Sequence, residues 1–287
     1  MRYLYICLFL LFIPVPLAII EFLFHATGSG LSIFDTRGVG QVTLLGTVLM
    51  LVIGYVHFIA RDSIVDYTML YLREWRRALR GFVVMLLITA GIVFSAYVLA
   101  GLFGQLQWNE EALNQLTSRK IERTVVALFV VLILAFTEEM MFRAFLMRYL
   151  RENTSTVSTV CAVVFSSLVF TALHNLDNPT LWLSEEGVRL FIGLFLLAVL
   201  LCTVYIVTGS IWCSIAVHIG MLGSKVILRR TEILDVQTNS WLLSHADVRM
   251  TPLAWMIFAG LALAIYLLRY RINPLFAIER PVISTAK

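Results

Sequence analysis

The chain has 287 residues, of which 60% are apolar and 14% charged, and 22 Lys and Arg against 18 Asp and Glu give a formal charge of +4. Soluble domains run at roughly 45–50% apolar and about 25% charged, and the mean hydropathy here is +0.89. These values exclude a soluble globular protein, a disordered chain and a nucleic-acid-binding module, and they leave an all-α integral membrane protein whose basic excess sets topology.

A span needs about 20 largely apolar residues. Eight segments meet that need, some loosely: residues 4–24, 42–60, 82–103, 125–147, 157–173, 188–207, 211–228 and 252–268. The expectation is a polytopic bundle of about eight transmembrane helices. The first apolar run follows Arg2 and mimics a signal peptide, but it is long for one and has no small-x-small site before His25. It reads as a membrane helix kinked at Pro14 and Pro16, which membrane helices tolerate. Polar turns separate the spans. Gly28, Gly30, Asp35, Gly38 and Gly40 follow the first, and Asn153, Thr154 and Ser155 follow the fourth. Asn175, Asp177, Asn178 and Pro179 follow the fifth, while Thr208, Gly209 and Ser210 barely separate the sixth and seventh. The loop at 105–122 mixes Glu110, Glu111, Arg119 and Lys120 and suits an amphipathic surface helix. The tail after Leu268 reads as an exposed end. Cys7, Cys161, Cys202 and Cys213 all lie in apolar stretches without a CxxC pair and read as small apolar fillers.

The loop at 61–81 carries Arg61, Arg73, Arg76, Arg77 and Arg80, which places it in the cytoplasm. Eight spans then put both termini there, in agreement with Arg2, Arg269 and Arg271. Two clusters, Arg119/Lys120/Arg123 and Lys225/Arg229/Arg230, fall on the opposite side. The preference for Arg over Lys points to a bacterium and so to its inner membrane.

Ionisable groups inside a span cost roughly 2.5–3.5 kcal/mol each on insertion scales and mark function. The fourth span holds Glu138, Glu139 and Arg143 within six residues. Glu139 and Arg143 are spaced i,i+4 and can pair; the alternative role for that pair is to fix helix packing. Glu138 lies about 100° away around the helix and suits a general base or acid. His174 ends the fifth span, with Phe170 on the same face, and His218 sits mid-way along the seventh. His57, in the second span, reads as a plain interhelical hydrogen-bonding residue. At about 1.5 Å per residue, Glu138 and His174 lie about 22 and 28 Å from the turn at 153–155, near enough in depth to meet. His218, about 14 Å beyond Gly209, reaches that depth only if the Gly209 turn is sunk within the protein.

Glu-Glu-x-x-x-Arg on one membrane helix, Phe-x-x-x-His on the next and a His on a later one resemble the CPBP family, also called the Abi family. Its members are CAAX-protease and bacteriocin-processing intramembrane proteases and include the Ras-converting prenyl-protein endopeptidase. The resemblance covers residues 125–228 and divides the chain into three N-terminal spans (1–124), a catalytic core (125–228) and a last span with its tail (229–287). It implies a glutamate-dependent endopeptidase without a cofactor, acting on a membrane-anchored protein or peptide. By that resemblance Glu138 and His174 activate a water, His218 stabilises the oxyanion, and Glu139 and Arg143 orient the site. The family's third motif is commonly His-x-x-x-Asn, whereas Leu222 stands at the fourth position here, with Asn175 as a substitute. Two other readings remain open. Glu138, His174 and His218 have the ligand types of a His₂Glu zinc site, although no His-Glu-x-x-His motif is present. The same charges could also serve transport, or a non-catalytic binding role such as immunity to a secreted peptide.

Overall fold

The computed structural model describes residues 14–28, 39–59, 75–109, 111–112, 114, 116–147, 150, 156–174, 183–236, 243 and 247–276. Nine α-helices occur among them: α1 (Pro14–Ala26), α2 (Val39–Gly54), α3 (Trp75–Leu102), α4 (Ser118–Glu139), α5 (Thr156–Leu173), α6 (Glu185–Thr208), α7 (Ile211–Thr231), α8 (Pro252–Leu267) and α9 (Arg269–Phe276). Two π-helical runs extend α2 (Tyr55–Ile59) and α4 (Met140–Met147). Four helices are long and apolar enough to cross a membrane by length and composition: α3, α4 with its π-helical extension, α6 and α7. Many large apolar side chains on these helices are exposed, among them Leu87, Phe94, Phe129 and Val188. In water such a surface would be a liability; facing hydrocarbon it is the expected one.

The described residues form two compact units, each drawn from two stretches of chain: residues 1–73 with 136–162, and residues 74–135 with 163–287. In the first unit α2 packs on the π-helical run that follows α4. Tyr55 meets Phe145 edge to face, with ring centroids 4.9 Å apart.

The second unit is built around α3, α6, α7 and α8. Its core includes Val93, Tyr97, Leu197, Leu201, Val217 and Phe258. Helices approach closely where a side chain is missing, as membrane packing favours. A Cβ on Gly220 would stand 2.8 Å from Cβ of Thr89 on α3, and one on Gly193 would collide with the carbonyl of Arg249. Ser184 caps α6 by accepting from the Gly187 N–H at 3.0 Å, and Glu185 and Glu186 complement the positive end of that helix.

Between α6 and α7 the chain turns on Gly209, at φ +62°, whose N–H returns to the Tyr205 carbonyl. Thr208 and Ser210 are buried, so this turn lies within the protein. Irregular backbone is tolerated there because its polar groups are met locally. The Thr208 hydroxyl donates to the Val204 carbonyl and accepts from the Ser210 N–H, and Ser214 donates across to the Leu201 carbonyl.

Three expectations are corrected. The stretch from Gln105 does not begin as an amphipathic helix, although its last residues, from Ser118, open α4: Gly104, at φ +69°, ends α3. Strand β1 (Leu106–Trp108) then pairs antiparallel with β2 (Leu234–Val236), with Gln107 opposite Asp235. The ladder satisfies backbone groups on both strands, and Leu106 is buried. The tail is not simply exposed, because α9 folds back on the unit. Asn273 Nδ2 donates to the Val207 carbonyl at 3.0 Å, and Phe276 lies over Gly81. His57 is exposed rather than interhelical; it packs on its neighbour Phe58.

One cation of each of the two misplaced basic clusters forms an ion pair in the same unit. Lys120 pairs with Glu232 at 3.0 Å, which brings the start of α4 to the end of α7. Lys225 pairs with Asp247 at 2.8 Å, and Arg249 pairs with the same carboxylate at 2.7 Å. Burial by itself would raise the Asp247 carboxyl, but Arg249 and Lys225 outweigh it and hold it well below the usual carboxylate range. A depressed carboxyl contributes stability above its unfolded value, about pH 4, and that contribution fades as pH falls through its folded value. Thermal unfolding against pH is therefore expected to show Asp247→Asn less stable than wild type at neutral pH, with the gap closing below about pH 4. A gap that did not vary with pH would remove this account.

Gly193→Ala is expected to destabilise the protein by about 3 kcal/mol, the upper range of overpacking, because the colliding atom is backbone. Gly91→Ala, with no atom within 4 Å of its would-be Cβ, is the matched control in thermal melts.

Candidate active site

The acidic motif sits where α4 ends and its backbone widens. Glu138 and Glu139 are the last α-helical residues, and Met140–Met147 continue as a π-helix. Such i→i+5 runs are rare and concentrate at functional sites. Nothing in Met-Met-Phe-Arg-Ala-Phe-Leu-Met, which lacks Gly and Pro, signals that change of pitch. Every residue from Met141 to Met147 is buried, Arg143 included.

Glu139 and Arg143 form the expected pair. Nη1 of Arg143 lies 3.0 Å from Oε1 of Glu139, and neither side chain has any exposed area. The guanidinium also lies 5.7 Å from the Phe142 ring centre, within cation–π range. Glu138, one residue earlier, is half-buried and belongs to the same unit as this pair.

The second unit holds the histidines. His174 follows the last residue of α5, where helical carbonyls lack partners. Its ring Nδ1–H donates to the Phe170 carbonyl at 2.8 Å. A carbonyl only accepts, so this bond places a proton on Nδ1. Phe170 is buried and backs both histidines: its ring centroid lies 4.3 Å from that of His174 and 6.3 Å from that of His218. His218 is buried on α7, and His174 is half-buried. The structure thus gathers Phe170, His174 and His218 into one cluster, and Glu139 and Arg143 into one pair. Asn175 lies outside the described residues. Leu222 offers no hydrogen bond; it lines an apolar cleft with Met221 and Leu253.

Among the described residues no group of three His, Cys, Asp or Glu side chains is placed to hold a metal ion. Of the cysteines, Cys161, Cys202 and Cys213 are not joined in disulfides, and Cys7 lies outside the described residues.

The apolar helices define an integral membrane protein. The model of the family described as type II CAAX prenyl endopeptidase Rce1-like matches residues 120–222, roughly a third of the chain. The matched stretch holds all six residues that carry the resemblance, Glu138, Glu139, Arg143, Phe170, His174 and His218. It bears out the likeness to the CAAX proteases and points to a peptidase of that kind. No curated protein and no solved structure matches the chain.

Removing one partner of a buried ion pair leaves a charge uncompensated, a loss of about 3–5 kcal/mol, whereas replacing both by apolar groups is often neutral. Arg143→Met alone is therefore expected to unfold at markedly lower temperature than wild type. Arg143→Met combined with Glu139→Leu should recover most of the difference. A double variant no better than the single one would show that the pair does more than balance charge.

Proposed function

We propose that this protein is an intramembrane endopeptidase that hydrolyses a peptide bond in a membrane-anchored protein or peptide. The observation that carries the reading is the lie of Glu138, His174 and His218 inside the stretch that matches the CAAX endopeptidase model. In this mechanism Glu138 and Nε2 of His174 share the task of taking a proton from water as its oxygen attacks the scissile carbonyl carbon. The tautomer held by the Phe170 carbonyl is the one that leaves Nε2 able to accept. His218, backed by the Phe170 ring, donates to the oxyanion that forms on the carbonyl oxygen. When the C–N bond breaks, the proton taken from water passes to the leaving amine, so the site returns to the charge with which it began. Glu139 and Arg143 hold the end of α4 and so orient Glu138, which adjoins them. No metal takes part in this scheme.

The same reading treats all eight apolar segments as spans, with both termini on the cytoplasmic face of a bacterial inner membrane. The short α5 and α8 are then spans adjusted by tilt and neighbouring helices. The substrate class follows the family description: a chain held at the membrane by a prenyl group or by its own apolar segment.

The test compares new protein N-termini in cells that express wild type, Glu138→Gln and His174→Ala at matched membrane levels. Specific termini are expected with wild type and to fall by about 10²–10⁴-fold in both variants, the range for loss of a general base. Purified wild type should keep its activity in the presence of a chelator. Termini that persist in Glu138→Gln would end the glutamate mechanism. A cellular phenotype without any new terminus would favour a binding or transport role.

A further inference from the structure

One end of the second unit is assembled from helix termini that lie far apart in the chain. After α8 the chain turns at Leu268, and α9 crosses to α6 and α3. Asn273 Nδ2 donates to the Val207 carbonyl at 3.0 Å, and a Cβ on Gly81 would stand 3.3 Å from Cδ1 of Phe276. Ile272 and Phe276, one turn apart on α9, pack against the core. Tyr270 and Arg271 are exposed. At about 1.5 Å per residue, Gly81 lies about 9 Å from the start of α3. Trp75, Arg76 and Arg80 therefore occupy the turns of α3 at and beyond this crossing.

Among the described residues this end gathers Arg76, Arg77 and Arg80 from α3 and Arg269 and Arg271 from α9. No Asp or Glu occurs in the segments that form it, residues 75–81, 205–213 and 266–276. Arg73 with Glu74, and Glu279 with Arg280, lie outside the described residues and add no net charge. The far end, where α3 and α7 finish and α6 begins, is different: Lys120 pairs with Glu232, Arg189 with Glu185 and Lys225 with Asp247. The arginines at the α9 end are set among exposed large apolar and aromatic side chains, Trp75, Leu79, Leu268, Tyr270 and Leu275. The Arg76 guanidinium lies 5.5 Å from the Trp75 ring centre. Arg269 is held between two rings, 4.3 Å from the centre of Tyr266 and 4.4 Å from that of Tyr270. Its Nη1 donates to the Tyr266 carbonyl at 3.0 Å and its Nη2 to the Tyr270 hydroxyl at 3.2 Å. Arg269 thus braces the α8–α9 turn, while Arg76, Arg80 and Arg271 are exposed.

We propose that this end of the second unit is a docking surface for the heads of anionic phospholipids, met by Arg76, Arg80 and Arg271. Cations interleaved with Trp, Tyr and Leu at the end of apolar helices suit the headgroup layer of a bilayer. A guanidinium offers two parallel N–H donors to one phosphate, and no carboxylate of these segments competes for them. A choline head would bring a further cation beside the arginines and offset the attraction of its phosphate. The exposed Leu79, Leu268 and Leu275 favour the lipid layer over the surface of an acidic protein. Arg269 orients α9 and does not contact the lipid. The proposal holds whatever reaction the protein performs.

The experiment uses the full-length protein purified in a neutral detergent. Thermal unfolding is followed against added phosphatidylglycerol, phosphatidylcholine or inorganic phosphate. Phosphatidylglycerol is expected to raise the midpoint saturably, with phosphatidylcholine at least tenfold weaker and inorganic phosphate without effect at equal concentration. Arg76→Gln, Arg80→Gln and Arg271→Gln combined should weaken phosphatidylglycerol about 100-fold, about fivefold for each basic side chain near an anionic surface. The lipid-free midpoint should stay at the wild-type value, since all three side chains are exposed. Should the triple variant not accumulate, Arg271→Gln alone is expected to show its fivefold loss. Arg229→Gln with Arg230→Gln, at the far end, should keep wild-type affinity. Equal stabilisation by the two lipids, equal protection by inorganic phosphate, wild-type affinity in the arginine variants or an equal loss in the far-end pair would each overturn the proposal. No stabilisation by phosphatidylglycerol would overturn it as well and leave the surface to an acidic protein.

Discussion

Hydrocarbon offers no hydrogen bonds, so every polar group carried into it must be met by another part of the protein. That constraint accounts for most of the specific contacts in this chain. Glu139 meets Arg143 with no area left exposed. Thr171, Thr203, Thr208 and Ser224 each return a hydroxyl proton to the carbonyl four residues earlier on their own helix. At the α6–α7 turn, where helical bonding fails, Gly209 takes a left-handed conformation and Thr208 and Asn273 complete the free backbone groups. Apolar contact alone cannot hold such helices together, because lipid is as apolar as leucine. Close approach at Gly193 and Gly220 and the polar ties among them supply the specificity.

The candidate catalytic groups obey the same constraint and gain chemistry from it. A histidine at a helix end bonds a carbonyl of that helix's last turn, and because a carbonyl only accepts, the bond places a proton on Nδ1. A carboxylate paired with a guanidinium stiffens the helix end next to Glu138. The π-helical run after Glu139 matters here because a change of pitch redirects every side chain beyond it, and it begins at the acidic motif itself. At His174 one hydrogen bond fixes the orientation of a ring that the proposed chemistry would use.

Much of this was legible in the residues. The apolar runs marked the helices, because burial in lipid demands length and apolarity more than any particular packing. The i,i+4 pair of Glu139 and Arg143 and the i,i+4 contact of Phe170 and His174 followed from helical periodicity alone. Other features were not legible. The β1–β2 ribbon joins residues more than a hundred positions apart, and Leu106–Gln107–Trp108 is too short to announce a strand. The docking of α9 rests on one amide and one ring, Asn273 and Phe276, whose partners lie on α6 and α3. Lys225 read as a topological signal because its partner Asp247, 22 residues further on, could not be assigned from spacing.

The sequence by itself therefore determined the solvent this chain occupies, the periodic faces of its helices and the residue types available for peptide hydrolysis, since each depends on composition or on spacing within one helix. Only the tertiary structure decided the hydrogen bond of His174 to the Phe170 carbonyl, the pitch of the helix after Glu139, the pairing of β1 with β2 and the meeting of Lys225 with Asp247. The first two depend on local hydrogen-bond geometry, which residue identity leaves open. The last two depend on groups distant in the chain, and their meeting is settled by packing rather than by sequence separation.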